Sequence, residues 1–98
     1  MFVVLLKFSE TPSQASQYME AHNDWLKRGF DDGIFLLSGS IQPRLGGALL
    51  AYNISLAELK NWVNDDPLVK NKIVDAEIIE ITPGRTDERL AFLMSTLQ

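Results

Sequence analysis

The chain has 98 residues, of which 46% are hydrophobic and 22% charged, a composition typical of one small globular domain. Its formal net charge of −4 and the lack of any lysine or arginine run argue against nucleic-acid binding and against a membrane-surface role. The absence of cysteine excludes disulfides, thiolate catalysis and cysteine metal sites.

The first segments predict a buried strand followed by a helix. Phe2–Phe8 is apolar apart from one lysine, which is typical of a strand covered on both faces. No apolar run approaches the roughly 20 residues of a membrane span, and this start is too short for a secretion signal, so we expect a cytoplasmic protein. Thr11 as N-cap and Pro12 at the first helical position then predict a helix that runs to about Asp32 and stops at Gly33.

The predicted helix carries the only histidine of the sequence on its apolar side. Apolar residues recur at helical spacing between Gln14 and Phe30, and His22 stands where this stripe requires an apolar residue. Gly29 also falls on the stripe, where it indicates close packing more than chemistry. The stripe consists of Ala15, Tyr18, Met19, Trp25, Leu26 and Phe30.

Two strands should follow the helix. In Ile34–Ile41, strict alternation would place Ser38 and Ser40 on the same side as Leu36. After a turn at residues 42–44, Leu45–Asn53 predicts the third strand, and its glycine pair at 46–47 suggests a local bulge. The pair is no phosphate loop, because neither a lysine nor a Gly-x-Gly pattern accompanies it.

The second half predicts a helix, an edge strand and a tail. A capping box at Ser55–Glu58 opens an apolar helical face that ends at Pro67, followed by a short connection. Ile73–Thr82 has the charged character of an edge strand. Beyond the core of residues 1–82, an amphipathic tail helix is expected at about residues 85–97 of the same single domain.

This β-α-β-β-α-β order predicts a ferredoxin-like α+β fold with an antiparallel sheet and a C-terminal helix. The first strand carries one charge and the third none, against three in the fourth, in agreement with central positions for the first and third strands in that fold. Both helices should cover one sheet face. The other face is too apolar to be left to water, so we expect a homodimer that packs sheet against sheet, or the tail helix, to cover it.

Two interpretations of His22 stay open: a buried histidine bonded to backbone, and a general acid/base. The apolar stripe of the second helix extrapolates to position 66, so Asp66, more than Asp65, should point inward at the end of that helix. An inward aspartate beside an inward histidine could hold the imidazole tautomer, as the aspartate of a catalytic triad does. The competing interpretation is that both aspartates solvate a helix end.

Other candidates carry weaker signals. Ser38 or Ser40 could act as a nucleophile, although no Gly-x-Ser-x-Gly elbow is present; hydrogen bonding to a ligand is the favoured role. Arg44 could anchor a substrate carboxylate or be a plain exposed turn residue. One histidine with scattered acids lacks any metal-ligand spacing, so no metal is expected.

The sequence resembles the YciI-like (YCII-related) family across residues 1 to about 82. The resemblance rests on an early hydrophobic strand, on the segments Ala21–Leu26 and Leu36–Ser40, and on a tryptophan helix ending in Asp66-Pro67. It implies a ferredoxin-like fold in a dimeric α+β barrel. It also implies an active site built from the histidine and the Asp-Pro aspartate, carried here by His22 and Asp66.

The chain departs from the family pattern in three places. Ser40 stands where many members have proline, Leu68 replaces a frequent phenylalanine or tyrosine, and the tail from Arg85 onward is longer. These changes leave the His22–Asp66 pair intact and alter the shape of any pocket around it.

Three functions are compatible with the sequence. The preferred hypothesis is a small enzyme without metal or organic cofactor, in which His22 and Asp66 move a proton on a small anionic or carbonyl-bearing molecule that Ser38 helps to bind. The second is a non-catalytic ligand-binding or interaction module with a structural His22. The third is an isomerase or cofactor-free monooxygenase, as found among other dimeric α+β barrel proteins.

Overall fold

A computed structural model describes residues 1–9 and 12–97, with only the backbone for residues 12, 13 and 95–97. The four strands are β1 (Phe2–Phe8), β2 (Phe35–Ile41), β3 (Gly46–Ala51) and β4 (Val74–Glu80). The α-helices are α1 (Met19–Asp31), α2 (Leu56–Asn64) and the short α3 (Pro67–Lys70). Two 3₁₀ segments, Pro12–Gln17 and Glu88–Leu97, precede α1 and end the described chain.

The strands form one antiparallel sheet in the order β2-β3-β1-β4. The most apolar strands, β1 and β3, are therefore central, and the charged β4 lies at an edge, which confirms the ferredoxin-like α+β prediction. The helix-facing side of the sheet carries the core, since Phe2, Val4 and Leu6 are buried while Val3 and Leu5 on the other side are partly exposed.

The start of the first helix differs from the prediction. The proposed N-cap, Thr11, lies outside the described residues. A 3₁₀ segment precedes the α-helix, and Tyr18 between them has φ −113° and ψ 0°, so the helix begins only at Met19. Serine has a weak α-helical preference, because its side chain can compete for backbone hydrogen bonds, and Ser16 lies within this segment.

The end of α1 agrees with the prediction. Gly33 adopts a φ of 76°, and its N–H donates to the Phe30 carbonyl while the N–H of Ile34 donates to the Gly29 carbonyl. These two bonds form a Schellman cap, in which glycine avoids the penalty of a left-handed residue. The cap turns the chain back so that β2 starts directly beneath the helix.

A bulge in β2 changes which side chains face the helices. Phe35 pairs with Ala51 but Leu37 pairs with Leu50, so one extra residue, Leu36, is inserted into β2. Because of this insertion, Ser38 lies on the same side as the buried Phe35, and not with Leu36 as strict alternation predicts. The bulge suggested for the glycine pair is wrong: the register shift lies in β2.

The second half follows the predicted order with one addition. Ser55 caps α2 by accepting the N–H of Glu58 at 3.1 Å, as the capping box predicts. The segment after Pro67 is the helical turn α3 and not a plain connection. In the tail, a 3₁₀ segment replaces the expected amphipathic helix; Leu93 is buried there, and Phe92 packs edge-on against Tyr52.

No helix in the described part of the chain is long and apolar enough to cross a membrane.

Gly29→Ala is expected to destabilise the fold by about 1–3 kcal/mol despite its better helix propensity. A Cβ at this position would overlap the Phe35 ring, which Trp25, Phe30 and Trp62 hold in place. Urea unfolding measures the change. Gly84→Ala is the control, because its Cβ meets nothing within 4 Å and should change stability by less than about 0.5 kcal/mol. An unchanged or raised stability of Gly29→Ala would contradict this packing role.

Candidate active site

His22 lies in the first part of α1 and is 91% buried, with an exposed fraction of 9%. Its ring stacks on Trp25, with ring centroids 5.6 Å apart and an interplanar angle of 24°. Trp25 is itself fixed, because its indole N–H donates to the Trp62 carbonyl at 2.9 Å. The histidine is therefore held in orientation by aromatic packing from its own helix.

Asp66 lies between α2 and α3 and is fully buried. Pro67 disfavours the helical region for the preceding residue, and Asp66 is accordingly extended, with φ −63° and ψ 126°. Its carboxylate turns back over α3 as the N-cap and accepts the Leu68 N–H at 3.2 Å. The aspartate thus stands at the favourable N-terminal end of α3 as well as at the end of α2.

The two residues form a short hydrogen bond in the interior. His22 Nδ1 and Asp66 Oδ1 are 2.7 Å apart, a length typical of a charge-assisted bond. When the carboxylate is ionised it can only accept, so Nδ1 is then the donor of this bond and a neutral imidazole has its free lone pair on Nε2. Asp66 Oδ2 is buried and has no hydrogen-bond partner among the described residues, whereas Oδ1 accepts both from His22 and from the Leu68 N–H.

A pocket of about 290 Å³ opens beside His22, between α1 and the sheet. Its polar side chains are His22, Asn23, Ser38 and Ser40, and most of its remaining wall is apolar. Among the described residues that line it, none is a lysine, arginine, aspartate or glutamate. The pocket therefore presents one imidazole and a few neutral hydrogen-bonding groups on an otherwise apolar surface.

The family model of the YCII-related domain matches residues 1–82. The chain belongs to the YCII-related family. None of the curated proteins matches this sequence. The fold is shared with 5-chloro-2-hydroxyhydroquinone dehydrochlorinase from Burkholderia phenoliruptrix AC1100, solved in complex with 2,5-dihydroxybenzoquinone. That structure aligns with a TM-score of 0.69 over 86% of this chain and 96% of its own, at 14% identity.

The structure brings together most of the residues singled out in this YCII-related sequence. His22 contacts Asp66, whereas the Asp65 side chain is 60% exposed and pairs with Lys70 at 3.4 Å. Ser38 and Ser40 line the pocket, but within the described chain no hydrogen bond joins either hydroxyl to His22. A serine nucleophile activated by His22 is therefore not preformed.

Arg44 is placed apart from this group. It lies in the exposed turn between β2 and β3, with a φ of 57°, and it is not among the residues that line the pocket. Its proposed role as a carboxylate anchor stays a prediction. The described residues also contain no group of three histidine, cysteine or acidic side chains placed to hold a metal ion.

Sequence reasoning missed several residues of the pocket. Met19 and Leu26 lie at positions −3 and +4 from His22 on α1, so helical spacing could have indicated them. Asn23 also lines the pocket, although the sequence indicated it only as part of the segment Ala21–Leu26. Leu68, which the family pattern had already related to the shape of the pocket, lines it as well. Gly47 could not be recognised by its chemistry, because it contributes space and not a functional group.

Proposed function

We propose that this YCII-related protein is a small cofactor-independent enzyme in which His22 moves a proton on a carbonyl- or hydroxyl-bearing molecule. The 2.7 Å bond between His22 Nδ1 and Asp66 Oδ1, at the wall of a pocket, carries this proposal. A buried carboxylate that accepts from Nδ1–H keeps the lone pair on Nε2 and stabilises the imidazolium that forms when Nε2 takes a proton.

The reaction class that fits this arrangement is abstraction of a proton next to a carbonyl. Nε2 would take the C–H proton, and the electron pair would move onto the carbonyl oxygen as an enolate. Hydroxyl or amide donors from Ser38, Ser40 or Asn23 would stabilise that oxygen. The imidazolium then returns the proton to another atom, which gives isomerisation, or the enolate expels a leaving group, which gives elimination.

The pocket lining favours an uncharged polar substrate over an anionic one, because none of the described lining side chains is cationic. The fold neighbour is a dehydrochlorinase of a chlorinated, hydroxylated ring, and this supports including such rings among the candidates. An elimination that releases chloride follows the same scheme.

The proposed homodimer would cover the sheet face opposite the helices. Leu37 and Ile79 on that face are 53% and 40% exposed. Val3, which lies between them, is only partly covered, and so is Leu5 beside it on the same strand. An exposed apolar surface of this kind is typical of an interface. Light scattering at micromolar concentration should give twice the chain mass of 11.0 kDa, and a monomer would contradict the dimer.

Deuterium exchange tests the proposed chemistry without knowledge of the final product. Cyclic and acyclic ketones, hydroxylated rings and their chlorinated forms are incubated with the protein in D₂O, and loss of C–H signal is followed by NMR. We expect exchange or chloride release for at least one compound, and its loss in His22→Ala. No reaction with any compound, or equal rates for the variant, would favour the non-catalytic binding module.

A further inference from the structure

The backbone requires glycine at only one of the two adjacent glycine positions of β3. Gly46 has a φ of +139°, and a Cβ there would collide with the Leu6 carbonyl oxygen, so the backbone itself requires glycine. At Gly47 the structure gives no positive φ, and a Cβ would meet only the Gly39 carbonyl oxygen at 3.4 Å, an ordinary contact. The backbone therefore accepts a side chain at position 47, although the strand has none there.

A side chain at position 47 would point to the helix-facing side of the sheet. Gly47 pairs with Leu6 on one side and with Ser40 on the other, and cross-strand partners point to the same face. Leu6 is only 3% exposed, within the core. Further along the same face of β3, Leu49 and Ala51 fill their positions and are buried. The apolar layer of the sheet thus stops at position 47.

The pocket occupies the place where this layer stops. Gly47, Ser40 and Leu6 line it from the sheet, and His22 lines it from α1. We call this space between α1 and the sheet the slot; because the sheet lacks one side chain there, the slot has room for a flat molecule. At about 290 Å³ the slot is at the lower end of the roughly 300–1,000 Å³ usual for ligand pockets, so it suits a single ring.

We infer that Gly47 determines substrate specificity. Because it has no side chain, a flat, uncharged, hydroxyl- or oxo-substituted ring can lie against the sheet at this position. One polar substituent of the ring meets the serine hydroxyls of β2, and the opposite edge faces His22. This inference rests on the proposed function for the reactive role of His22, and it adds the substrate class and the residue that selects it. A side chain at position 47 fills the space that the ring needs.

The inference predicts opposite effects on stability and binding. Gly47→Ala and Gly47→Val replace a glycine inside a strand, where glycine is unfavourable, so both variants should unfold at the same or a higher urea concentration than the unsubstituted protein. Both should bind the ring less tightly. A glycine kept only for backbone reasons would behave differently, since its substitution would lower stability, as we expect for Gly46→Ala.

The binding test uses three defined probes: 4-hydroxyacetophenone as the uncharged ring, 4-hydroxybenzoate as its anionic counterpart, and acetoin as a small acyclic carbonyl compound. NMR titration gives the Kd of each. We expect the uncharged ring to bind more tightly than the anion, with its Kd raised about tenfold in Gly47→Ala and about a hundredfold in Gly47→Val. Acetoin, which needs less space, should change by less than about threefold, as should every probe with Gly84→Ala.

Three results would overturn the inference. They are no binding of the uncharged ring to the unsubstituted protein, an unchanged Kd in Gly47→Val, and a loss of stability in Gly47→Ala as large as in Gly46→Ala. The proposed function is tested separately by His22→Gln. If this variant keeps binding and exchange activity, the catalytic proposal fails while the role of Gly47 stands; if it keeps binding and loses activity, both are supported.

Discussion

Replacing His22 by glutamine is expected to lower turnover by about 10²- to 10⁴-fold, the usual contribution of a general acid/base. Glutamine can still donate a hydrogen bond to Asp66 and fill much of the same space, but it cannot take a proton at pH 7. Because His22 is the only histidine of the chain, no second imidazole can substitute for it. The measurement is kcat and KM for a compound found by deuterium exchange, with the loss expected in kcat.

Imidazole rescue separates chemistry from folding for this residue. His22→Ala leaves a gap beside Trp25 that opens to the pocket, so added imidazole should restore part of the turnover in a saturable manner. Asp24→Ala, at an exposed position of the same helix, is the matched control and should keep full turnover. Equal turnover in His22→Gln and in the unsubstituted protein would contradict a catalytic role.

Replacing Asp66 by alanine is expected to destabilise the protein by about 2–4 kcal/mol and to reduce turnover strongly. The substitution leaves two donors without an acceptor, His22 Nδ1–H and the Leu68 N–H, and it removes the N-cap of α3. The reduced turnover follows because nothing then holds the imidazole tautomer. Urea unfolding and turnover of the same preparation measure both effects.

Two further variants separate the role of Asp66 from that of Asp65, and the role of its charge from that of its hydrogen bonds. Asp65→Ala should change stability by less than about 1 kcal/mol, because Asp65 makes only an exposed ion pair with Lys70. Asp66→Asn keeps an oxygen toward His22, because the Leu68 N–H requires an acceptor at the same place. It removes the charge, so we expect turnover to fall about tenfold. A larger stability loss in Asp65→Ala than in Asp66→Ala would reverse the assignment.

Much of the fold could be predicted from local patterns. The apolar run of β1, the capping box at Ser55 and the left-handed Gly33 each act within a few residues, so the sequence alone indicates them. The order of these elements then leaves few topologies, and the ferredoxin-like sheet with β1 and β3 in the centre is the one the structure has.

The features that escaped prediction depend on contacts between distant segments. Nothing around Leu36 marks it as a bulge, because the extra residue is defined only by the pairing of β2 with β3. The same holds for α3, a single turn that Asp66 caps while it also accepts from α1. The side of the sheet on which Ser38 lies can be predicted only when the register between β2 and β3 is known.

In the candidate site too, some residues could be predicted from local sequence and others depend on contacts between distant segments. His22 and Asp66 interrupt or extend apolar stripes, so their inward direction could be inferred from helical spacing. Asn23 and Gly47 break no pattern, and their places in the pocket follow only from the packing of α1 over β3. Arg44 carries a charge but breaks no apolar pattern, and it lies in an exposed turn, outside the residues that line the pocket.

The position of the proton on the His22 ring shows whether Asp66 prepares this imidazole to act as a base. In protein with ¹⁵N-labelled histidine, long-range ¹H–¹⁵N spectra report one ring, that of His22, and show which nitrogen carries the proton. We expect a ring protonated at Nδ1, toward Asp66, with a free Nε2 whose signal shifts in a saturable way as 4-hydroxyacetophenone is added. A ring protonated at Nε2, or an Nε2 signal that stays unchanged while the ring compound saturates the protein, would contradict it.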